Sequence, residues 1–483
     1  MRLALVSIFA LFSSMVTSSN AAVSGYKFQE LRELTPKDST TGYGDRIRRT
    51  MHLLSTSTKE RPSKVRILFY GQSITRQNYS RKIIEAKLRA EYPHAQLEVL
   101  NPAIGGYQSP KSVHTMFHTL IPEQPDLVVF HVYGGESDGS YEQIIRNVRT
   151  YTTAELIVAT HHLGNYGEAR DRQKDAASRL RRELAEKHGS ELVEIRGNWR
   201  RYLKQHALKA TDLLRDSVHH NTHGGELWGA LQARHFEVQP ADPQNWQSRI
   251  TRIDLRQSRE GKLGRVVFKP KQWIQSENGL RSTENGSPLR IEFEGTRVDV
   301  ISRSGNGQAD IRIDGKRPTA IPETWSATLP SSTPIDYRPA IMRIGLPGLP
   351  VAETWTLTVN PLSKDGRNCD YALQGSKSGF QGNGSHTDVF RSADGIIELN
   401  PKMFTFSDAI RIKKKPIPTP FKVTWKTYNR SLDEWECRPV DSSNPGGQIT
   451  LVQQLKNGPH TLEVIPRSGA IEIEQVIIHR PAE

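Results

Sequence analysis

The sequence predicts an α/β domain with a parallel sheet, followed by a mainly antiparallel β-sandwich. Five short apolar runs in the first half are separated by segments with helical periodicity, and strands that alternate with helices require crossover connections. The second half shows short alternating strands separated by Gly, Asn and Pro turns, which is the pattern of antiparallel sheets. A chain of 483 residues is also too long for one hydrophobic core, so two or three domains are expected.

The strands predicted for the first domain are short and apolar. The run Leu-Val-Val-Phe at residues 127–130 is apolar on both faces, which is typical of a strand buried inside a parallel sheet. Helical patterns lie between the strands, and a last helix closes the domain. The strands are predicted at Val65–Tyr70, Leu97–Leu100, Leu127–Val132, Leu156–Ala159 and Leu192–Ile195, and the helices at Arg81–Glu91, Tyr141–Tyr151, Arg170–His188 and Gly225–Phe236.

A Pro-rich, polar segment over residues 239–248 predicts the boundary between the two domains. The α/β domain is therefore placed at 63–238 after a polar lead-in over 22–62, and a jelly-roll-like sandwich at 249–483. Residues 360–420 have no clear pattern and are interpreted as a long loop insertion. The sandwich strands are predicted at Arg290–Glu294, Arg297–Ile301, Ala309–Asp314, Thr354–Val359, Phe421–Lys426, Thr461–Ile465 and Ile471–His479.

The amino terminus is typical of a Sec-type signal peptide. Arg2 precedes an apolar run over residues 3–16, and small and polar residues follow it, so cleavage is predicted after Ala21. We expect a secreted or periplasmic protein. No other segment is long and apolar enough to span a bilayer. In an oxidising compartment Cys369 and Cys437 could form a disulfide, although the sequence does not give their separation.

The formal net charge is +14, and the Lys and Arg residues are spread over both halves of the chain. A nucleic-acid-binding protein usually clusters its charge, so this class is disfavoured. Attraction to an acidic polymer remains compatible with the composition. Thirteen of the 16 histidines precede residue 240, and because His is the common acid/base residue at neutral pH, this asymmetry favours the first domain as the place of chemistry.

Three residues in the first domain form a candidate catalytic set. Ser73 follows the first strand in Phe-Tyr-Gly-Gln-Ser-Ile-Thr (69–75) and enters a helix, which is where α/β folds place their sites. Asp216 and His219 are three residues apart in a turn before the last helix. His219 could take the Ser73 proton while Asp216 orients the imidazole. The alternative is that Ser73 is only a helix cap and His219 a surface residue.

These residues resemble the motifs of the SGNH/GDSL hydrolase superfamily, and in particular those of its secreted carbohydrate esterases. Gly71-Gln72-Ser73-Ile74 resembles the first block, with Gln where Asp is usual, and Asp216 and His219 match the last block. Asn101-Pro-Ala-Ile-Gly-Gly-Tyr-Gln-Ser109 resembles the second block and implies Gly106 as an oxyanion donor beside the Ser73 amide. The resemblance also implies a flavodoxin-like three-layer α/β/α fold and no cofactor.

The third block departs from this resemblance. The family has an oxyanion Asn after the third strand, whereas this chain has Tyr133-Gly-Gly-Glu-Ser-Asp138. Either the backbone of Gly134-Gly135 supplies the donor, with Gly135 aiming its amide, or the Asn165 side chain does. Glu136 is predicted to bind substrate hydroxyl groups or to pair with an Arg.

The predicted function is removal of acyl groups, most simply acetyl, from a polysaccharide. An acidic polysaccharide is compatible with the positive net charge. Two alternatives stand beside it: a non-catalytic carbohydrate-binding protein on a decayed hydrolase fold, and another sugar-active enzyme that uses Glu136 with Asp138. A zinc site at His219, His220 and His223 is a further interpretation that is not favoured, because no other ligand is evident. In the sandwich, aromatic residues are either core or a sugar-stacking platform: Trp325, Trp355, Trp425 and Trp435.

Overall fold

The computed structural model describes residues 23–37, 42–240, 249–257, 262–263 and 266–482. The predicted signal peptide at 1–21 and nearly all of the predicted boundary segment lie outside these described residues. Within the described ranges, no helix has the length and apolar character that crossing a membrane requires.

The amino-terminal part is built on a five-stranded, all-parallel sheet with the order β2-β1-β3-β4-β5. Its strands are β1 (Lys64–Gly71), β2 (Gln96–Leu100), β3 (Leu127–His131), β4 (Glu155–Ala159) and β5 (Glu191–Val193). Its helices are α1 (Arg48–Ser55), α2 (Ser73–Arg76), α3 (Tyr79–Glu91), α4 (Ser109–Thr119), α5 (Ser140–Tyr151), α6 (Glu168–Lys187), α7 (Ile195–Gln205) and α8 (Thr222–Ala233).

Helices cover both faces of this sheet. Ile67 and Phe69 of β1 belong to one buried cluster, together with residues of α1, α3, α7 and α8. The neighbouring Leu68 and Tyr70 belong to a second cluster with α4, α5 and α6, because successive side chains of a strand point to opposite faces. The sheet order and the two cores confirm the three-layer, flavodoxin-like fold, which is the fold that the resemblance to SGNH hydrolases implies.

Some local elements differ from the sequence-based expectation. The last predicted strand ends at Val193 instead of Ile195, and α7 begins there, because the Glu194 side chain accepts a hydrogen bond from the Gly197 amide at 3.0 Å and caps the helix. The lead-in also contains α1, whose Met51 is fully buried in the core. The sequence of α1 is mostly polar, so its few buried residues give no clear helical pattern.

The carboxyl-terminal part consists of antiparallel sheets, as predicted. The sheet orders are β21-β13-β23-β11-β8-β7, β22-β12-β25-β6, β24-β10-β9, β14-β20-β15-β16-β17 and β18-β19. The elements are β6 (Arg249–Asp254), β7 (Lys262–Leu263), β8 (Val266–Val267), β9 (Trp273–Ser276), β10 (Gly279–Ser282), β11 (Leu289–Gly295), β12 (Arg297–Ile301), β13 (Gln308–Ile313), β14 (Trp325–Ala327), β15 (Glu353–Leu362), β16 (Cys369–Gly375), β17 (Gly379–Ser385), β18 (Phe390–Arg391), β19 (Glu398–Leu399), α9 (Phe406–Lys413), β20 (Phe421–Asn429), β21 (Glu434–Glu436), β22 (Gln448–Val452), β23 (Gly458–Ser468), β24 (Glu472–Ile473) and β25 (Gln475–Arg480).

These sheets enclose two separate hydrophobic cores. The larger core joins the strands before β14 to those after β20, and the smaller core lies within the segment from β14 to β20. Residues 360–420 are therefore not a long loop, since they supply β16, β19 and α9 to the smaller core, and β17 pairs with β16. Cys369 lies in the smaller core and Cys437 in the larger one, and both thiols are free, so the disulfide considered from the sequence does not form.

The tryptophans of the carboxyl-terminal part are mostly core residues. Trp355, Trp425 and Trp435 are buried in the two cores, so they cannot form a sugar-stacking platform. Trp325 is half-buried, and its indole Nε1 donates to the Thr319 carbonyl at 3.0 Å. The carboxyl-terminal part also packs directly on the first domain, where Tyr107 Oη donates to the Pro339 carbonyl at 3.3 Å.

Candidate active site

The nucleophile candidate lies at the point where the order of the parallel strands reverses. β1 pairs with β2 on one side and with β3 on the other, and ligands of such sheets bind in the crevice at the carboxyl ends of these strands. Ser73 follows the end of β1 by two residues, is half-buried and is the first residue of α2. Ser73, the nucleophile candidate from the sequence, thus lies at the end of the sheet where this crevice is expected.

The glutamine that departs from the first motif has a defined place. Gln72 is 5% exposed. In the amide orientation that satisfies both neighbours, its nitrogen donates to the Tyr107 carbonyl at 3.0 Å and its oxygen accepts from the Tyr133 amide at 3.2 Å. Gln72 therefore connects the first block to the loops of the second and third blocks, and a carboxylate could not donate the first of these bonds.

Asp216 and His219 form the hydrogen-bonded pair that the sequence predicts. His219 Nδ1 lies 2.8 Å from Asp216 Oδ2, and Asp216 Oδ1 accepts from the amides of Val218 and His219 at 2.8 and 2.7 Å. Burial raises the pKa of Asp216, but these hydrogen bonds outweigh it and lower the pKa to about 2. The ionised carboxylate holds the Nδ1 proton, so Nε2 is the basic nitrogen of His219.

The loop that carries this pair is tied to the nucleophile turn. Gln77, which ends α2, donates from Nε2 to the His220 carbonyl at 2.8 Å. On the other side, His162 Nε2 lies 2.9 Å from the Val218 carbonyl and His162 Nδ1 lies 2.8 Å from Tyr133 Oη. Because a carbonyl only accepts, His162 donates a hydrogen bond from Nε2. Its Nδ1 then accepts a hydrogen bond from the Tyr133 hydroxyl group. Three loops are thereby fixed relative to one another.

One backbone amide in each of the first three motif blocks is available as a donor. Within the described parts of the chain, the amides of Ser73, Gly106 and Gly135 donate no hydrogen bond. Gly106 and Gly135 have φ values of +79° and +87°, in the left-handed region that Gly adopts most readily. The second-block and third-block loops thus have the backbone freedom that aiming an amide requires.

The other third-block candidates have different surroundings. Asn165 is exposed, and its own amide donates to the Ser217 carbonyl at 2.9 Å beside the Asp216 loop. Glu136 Oε1 lies 2.7 Å from Nη2 of the buried Arg181 and 3.3 Å from His161 Nε2. The Arg181 pairing follows one of the two roles predicted for Glu136, and its contact with substrate stays a prediction.

The three histidines considered as a zinc site have separate partners. His219 pairs with Asp216, His220 packs its ring against Trp228 at 5.3 Å between centroids, and His223 Nε2 lies 2.6 Å from Tyr202 Oη. Among the described residues, no group of three His, Cys, Asp or Glu side chains is placed to hold a metal ion. The metal interpretation therefore gains no geometric support.

A layer of buried imidazoles lies beside the loop that carries Asp216 and His219, and the sequence analysis missed it. His131, His161, His162 and His220 are all buried. Burial lowers the pKa of each of them below the ordinary value, to about 3 for His162. Only the excess of histidine in the first half pointed to this layer, and it could not indicate which rings are buried. These rings are neutral at physiological pH.

We expect this layer to make the protein sensitive to acid. The unfolded chain takes up protons near pH 6.5, whereas the folded pKa values are lower, so the histidines stabilise the fold fully above 6.5 and progressively less as pH falls. Each contributes a slope of up to about 1.4 kcal/mol per pH unit. Urea unfolding should give a free energy of unfolding that is several kcal/mol lower at pH 5.0 than at pH 7.5. The exposed control His94→Gln should show the same difference between the two pH values. A midpoint that is independent of pH would contradict the neutral layer.

Two residues beside the second block also escaped the sequence analysis, since they belong to the carboxyl-terminal part. Tyr337 Oη donates to the Gly105 carbonyl at 3.1 Å. The Arg338 guanidinium carbon lies 3.6 Å from the position that a Cβ on Gly106 would occupy. No local motif marks them, because the contact joins segments more than two hundred residues apart.

Solved structures give several matches to this chain. An acetylxylan esterase, Axe2, from Geobacillus stearothermophilus is 18% identical over 38% of this chain and 100% of its own, with a TM-score of 0.34. The acetyl xylan esterase AlAXEase is 20% identical over 35% of this chain and 97% of its own (TM-score 0.31). A two-domain esterase, CEX, active on acetylated mannans is 13% identical over 91% of this chain and 96% of its own (TM-score 0.33). Comparison with protein-family models and with curated proteins gives no match.

Proposed function

We propose that this protein is an exported serine esterase of the SGNH type that removes acetyl groups from a polysaccharide. The observation that carries the proposal is the Asp216–His219 pair at 2.8 Å on a loop joined to the Ser73 turn through Gln77. Nucleophilic ester hydrolysis needs a serine at such a strand–helix turn and an oriented imidazole that can reach it. Within the described residues Ser73 Oγ makes no hydrogen bond, so its contact with His219 Nε2 is part of the proposal.

In this proposal Ser73 Oγ attacks the ester carbonyl while His219 Nε2 takes its proton. The tetrahedral oxyanion accepts hydrogen bonds from the amides of Ser73, Gly106 and Gly135, each of which donates no other hydrogen bond within the described parts of the chain. His219 then protonates the sugar oxygen as it leaves. Water, activated by the same imidazole, releases acetate and regenerates Ser73. Asp216 keeps the Nδ1 proton in place throughout, and these steps use protein groups alone.

Export and the domain division belong to the proposal as well. The predicted signal peptide over residues 1–21 would direct the chain out of the cytoplasm and so to a polysaccharide substrate outside it. The division into 63–238 and 249–483 assigns the chemistry to the first part and polymer binding to the second. The contact of Tyr337 and Arg338 with the second-block loop supports a role for the second part beside the candidate site.

The two alternatives fare differently. Against a glycosidase, Glu136 is held by Arg181, and Asp138 Oδ1 accepts from the Ser140 amide at 2.9 Å at the start of α5. A catalytic carboxylate pair flanks a scissile bond, whereas each of these carboxylates already has a local partner. Against a decayed hydrolase, Asp216 uses one carboxylate oxygen for the amides of its loop and keeps the other on His219 Nδ1, which is the orientation that a catalytic imidazole needs.

The test is a paired assay on acetylated glycans with the full mature chain. We expect acetate to be released while the number of reducing ends stays constant, because an ester and not a glycosidic bond is broken. New reducing ends would favour the glycosidase alternative. Glycan binding without either product would favour the decayed hydrolase.

A further inference from the structure

A cluster of cationic side chains surrounds Tyr337 at the edge of the candidate site. The Arg76 guanidinium lies 4.2 Å from the centre of the Tyr337 ring, Arg338 lies 5.3 Å from it and the Lys413 ammonium 5.8 Å. Tyr337 is 50% exposed and its hydroxyl is bonded to the Gly105 carbonyl. The ring thus fixes a positive surface against the second-block loop.

This surface is assembled from both parts of the chain. Arg76 is the last residue of α2, three positions after Ser73. Arg338 and Lys413 come from the carboxyl-terminal part, and Arg338 stands over Gly106. A group held here would therefore belong to the same ligand whose ester lies at Ser73.

The positive charge of this surface is incompletely neutralised. Asp336 is the nearest carboxylate to Arg338 and Lys413, at 3.6 Å from each, which is longer than a hydrogen bond. The guanidinium groups of Arg76 and Arg338 donate no hydrogen bond within the described parts of the chain, and Arg338 Nε is buried. Nearby, Asp408 is shared between Lys111 and Arg411. Cations therefore outnumber carboxylates, and two guanidinium groups lack an acceptor.

We propose that this cationic surface is a subsite for an anionic group of the polysaccharide, a uronate carboxylate or a sulfate ester on a sugar near the acetylated one. Guanidinium groups bind both oxyanions through paired N–H donors. The cation–π contact with Tyr337 holds Arg76 in place before the ligand arrives, which lowers the ordering cost of binding. The inference rests on the proposed function, since it assigns the anion to that substrate.

The test measures binding of ester-free probes, so that no catalysis is involved. The full mature chain is titrated with a short oligogalacturonate, with a sulfated oligosaccharide of the same length and with neutral xylo-oligosaccharide. We expect at least one charged probe to bind roughly tenfold or more tightly than the neutral probe at low salt, and this preference to shrink as salt is added. The two charged probes distinguish a carboxylate from a sulfate subsite.

Substitutions then assign the preference to the cluster. Arg76→Gln and Arg338→Gln should each reduce the charged-over-neutral ratio by about tenfold, while Arg338→Lys, which keeps the charge without the planar fork, should retain part of it. Arg290→Gln is the matched control, because Arg290 is an exposed Arg on β11 that pairs with Glu463 of β23. Near-ultraviolet circular dichroism checks that each variant is folded.

Equal binding of charged and neutral probes by the wild-type chain would overturn the proposal. A preference unchanged in both Gln variants would do so as well. Because the probes carry no ester, failure of the acetate assay together with retained, Arg76-dependent binding would reject the esterase function alone. Acetate release without charge preference would reject only the anionic subsite.

Discussion

Replacing Ser73 by Ala should abolish ester hydrolysis, with a loss of kcat on the order of 10⁵-fold, and leave the fold intact. Ser73 is half-buried at the start of the short helix α2, so removing its hydroxyl removes little packing. His219→Ala should cost about as much as Ser73→Ala, because a serine without its base is a poor nucleophile. The double variant should lose only a few-fold more, because the two groups act as one unit.

The measurement is hydrolysis of a small aryl acetate, with thermal unfolding recorded for every variant. His94→Ala serves as the matched control, since His94 is an exposed histidine of the same domain, and it should keep wild-type turnover. If the losses from Ser73→Ala and His219→Ala multiplied in the double variant, the two residues would act independently and the triad assignment would be wrong.

The fold could be predicted to a large extent because its determinants are local. Each buried strand of the parallel sheet has an apolar run, and the run at 127–130 is wholly buried in β3. The missed elements were those whose stability depends on distant partners. The helix α1 is polar in sequence, and it is held by the carboxylate of Glu155, which accepts from the Arg49 and Thr50 amides at 2.9 and 2.8 Å. No pattern within α1 indicates this partner.

The candidate site shows the same difference between local contacts and contacts that are distant in sequence. Asp216 and His219 were predictable, since their contact spans three residues. The bridge made by Gln72 joins loops that are far apart in sequence, and the Tyr337 contact joins the two parts of the chain. Such contacts depend on how the domains pack, which residue spacing does not encode. The buried imidazoles are a third case, because composition records their number and only packing decides their protonation.

The second large expected effect is a loss of kcat in Gly135→Ala, which tests whether the Gly135 amide is the third oxyanion donor. Gly135 has φ of +87°, and a Cβ added there would overlap the side chains of Ser109 and Ser140. Gly135→Ala must therefore shift the loop or these side chains, and we expect the Gly135 amide to lose its aim. Loss of one oxyanion donor costs about 100-fold or more in kcat. Asn165→Ala should change kcat by less than about threefold, because this exposed side chain has an expected effect typical of surface substitutions.

Gly139→Ala separates the loss of the donor from simple backbone strain. Gly139 lies in the same loop with φ of +77°, and a Cβ there would meet nothing within 4 Å. Its Ala variant therefore carries the same left-handed backbone cost of about 1 kcal/mol without moving the Gly135 amide. We expect kcat to fall in Gly135→Ala alone, with KM for the aryl acetate nearly unchanged. If Asn165→Ala lost 100-fold while Gly135→Ala behaved like Gly139→Ala, the donor would be the Asn165 side chain. The glycine turn would then serve only to reverse the chain between β3 and α5.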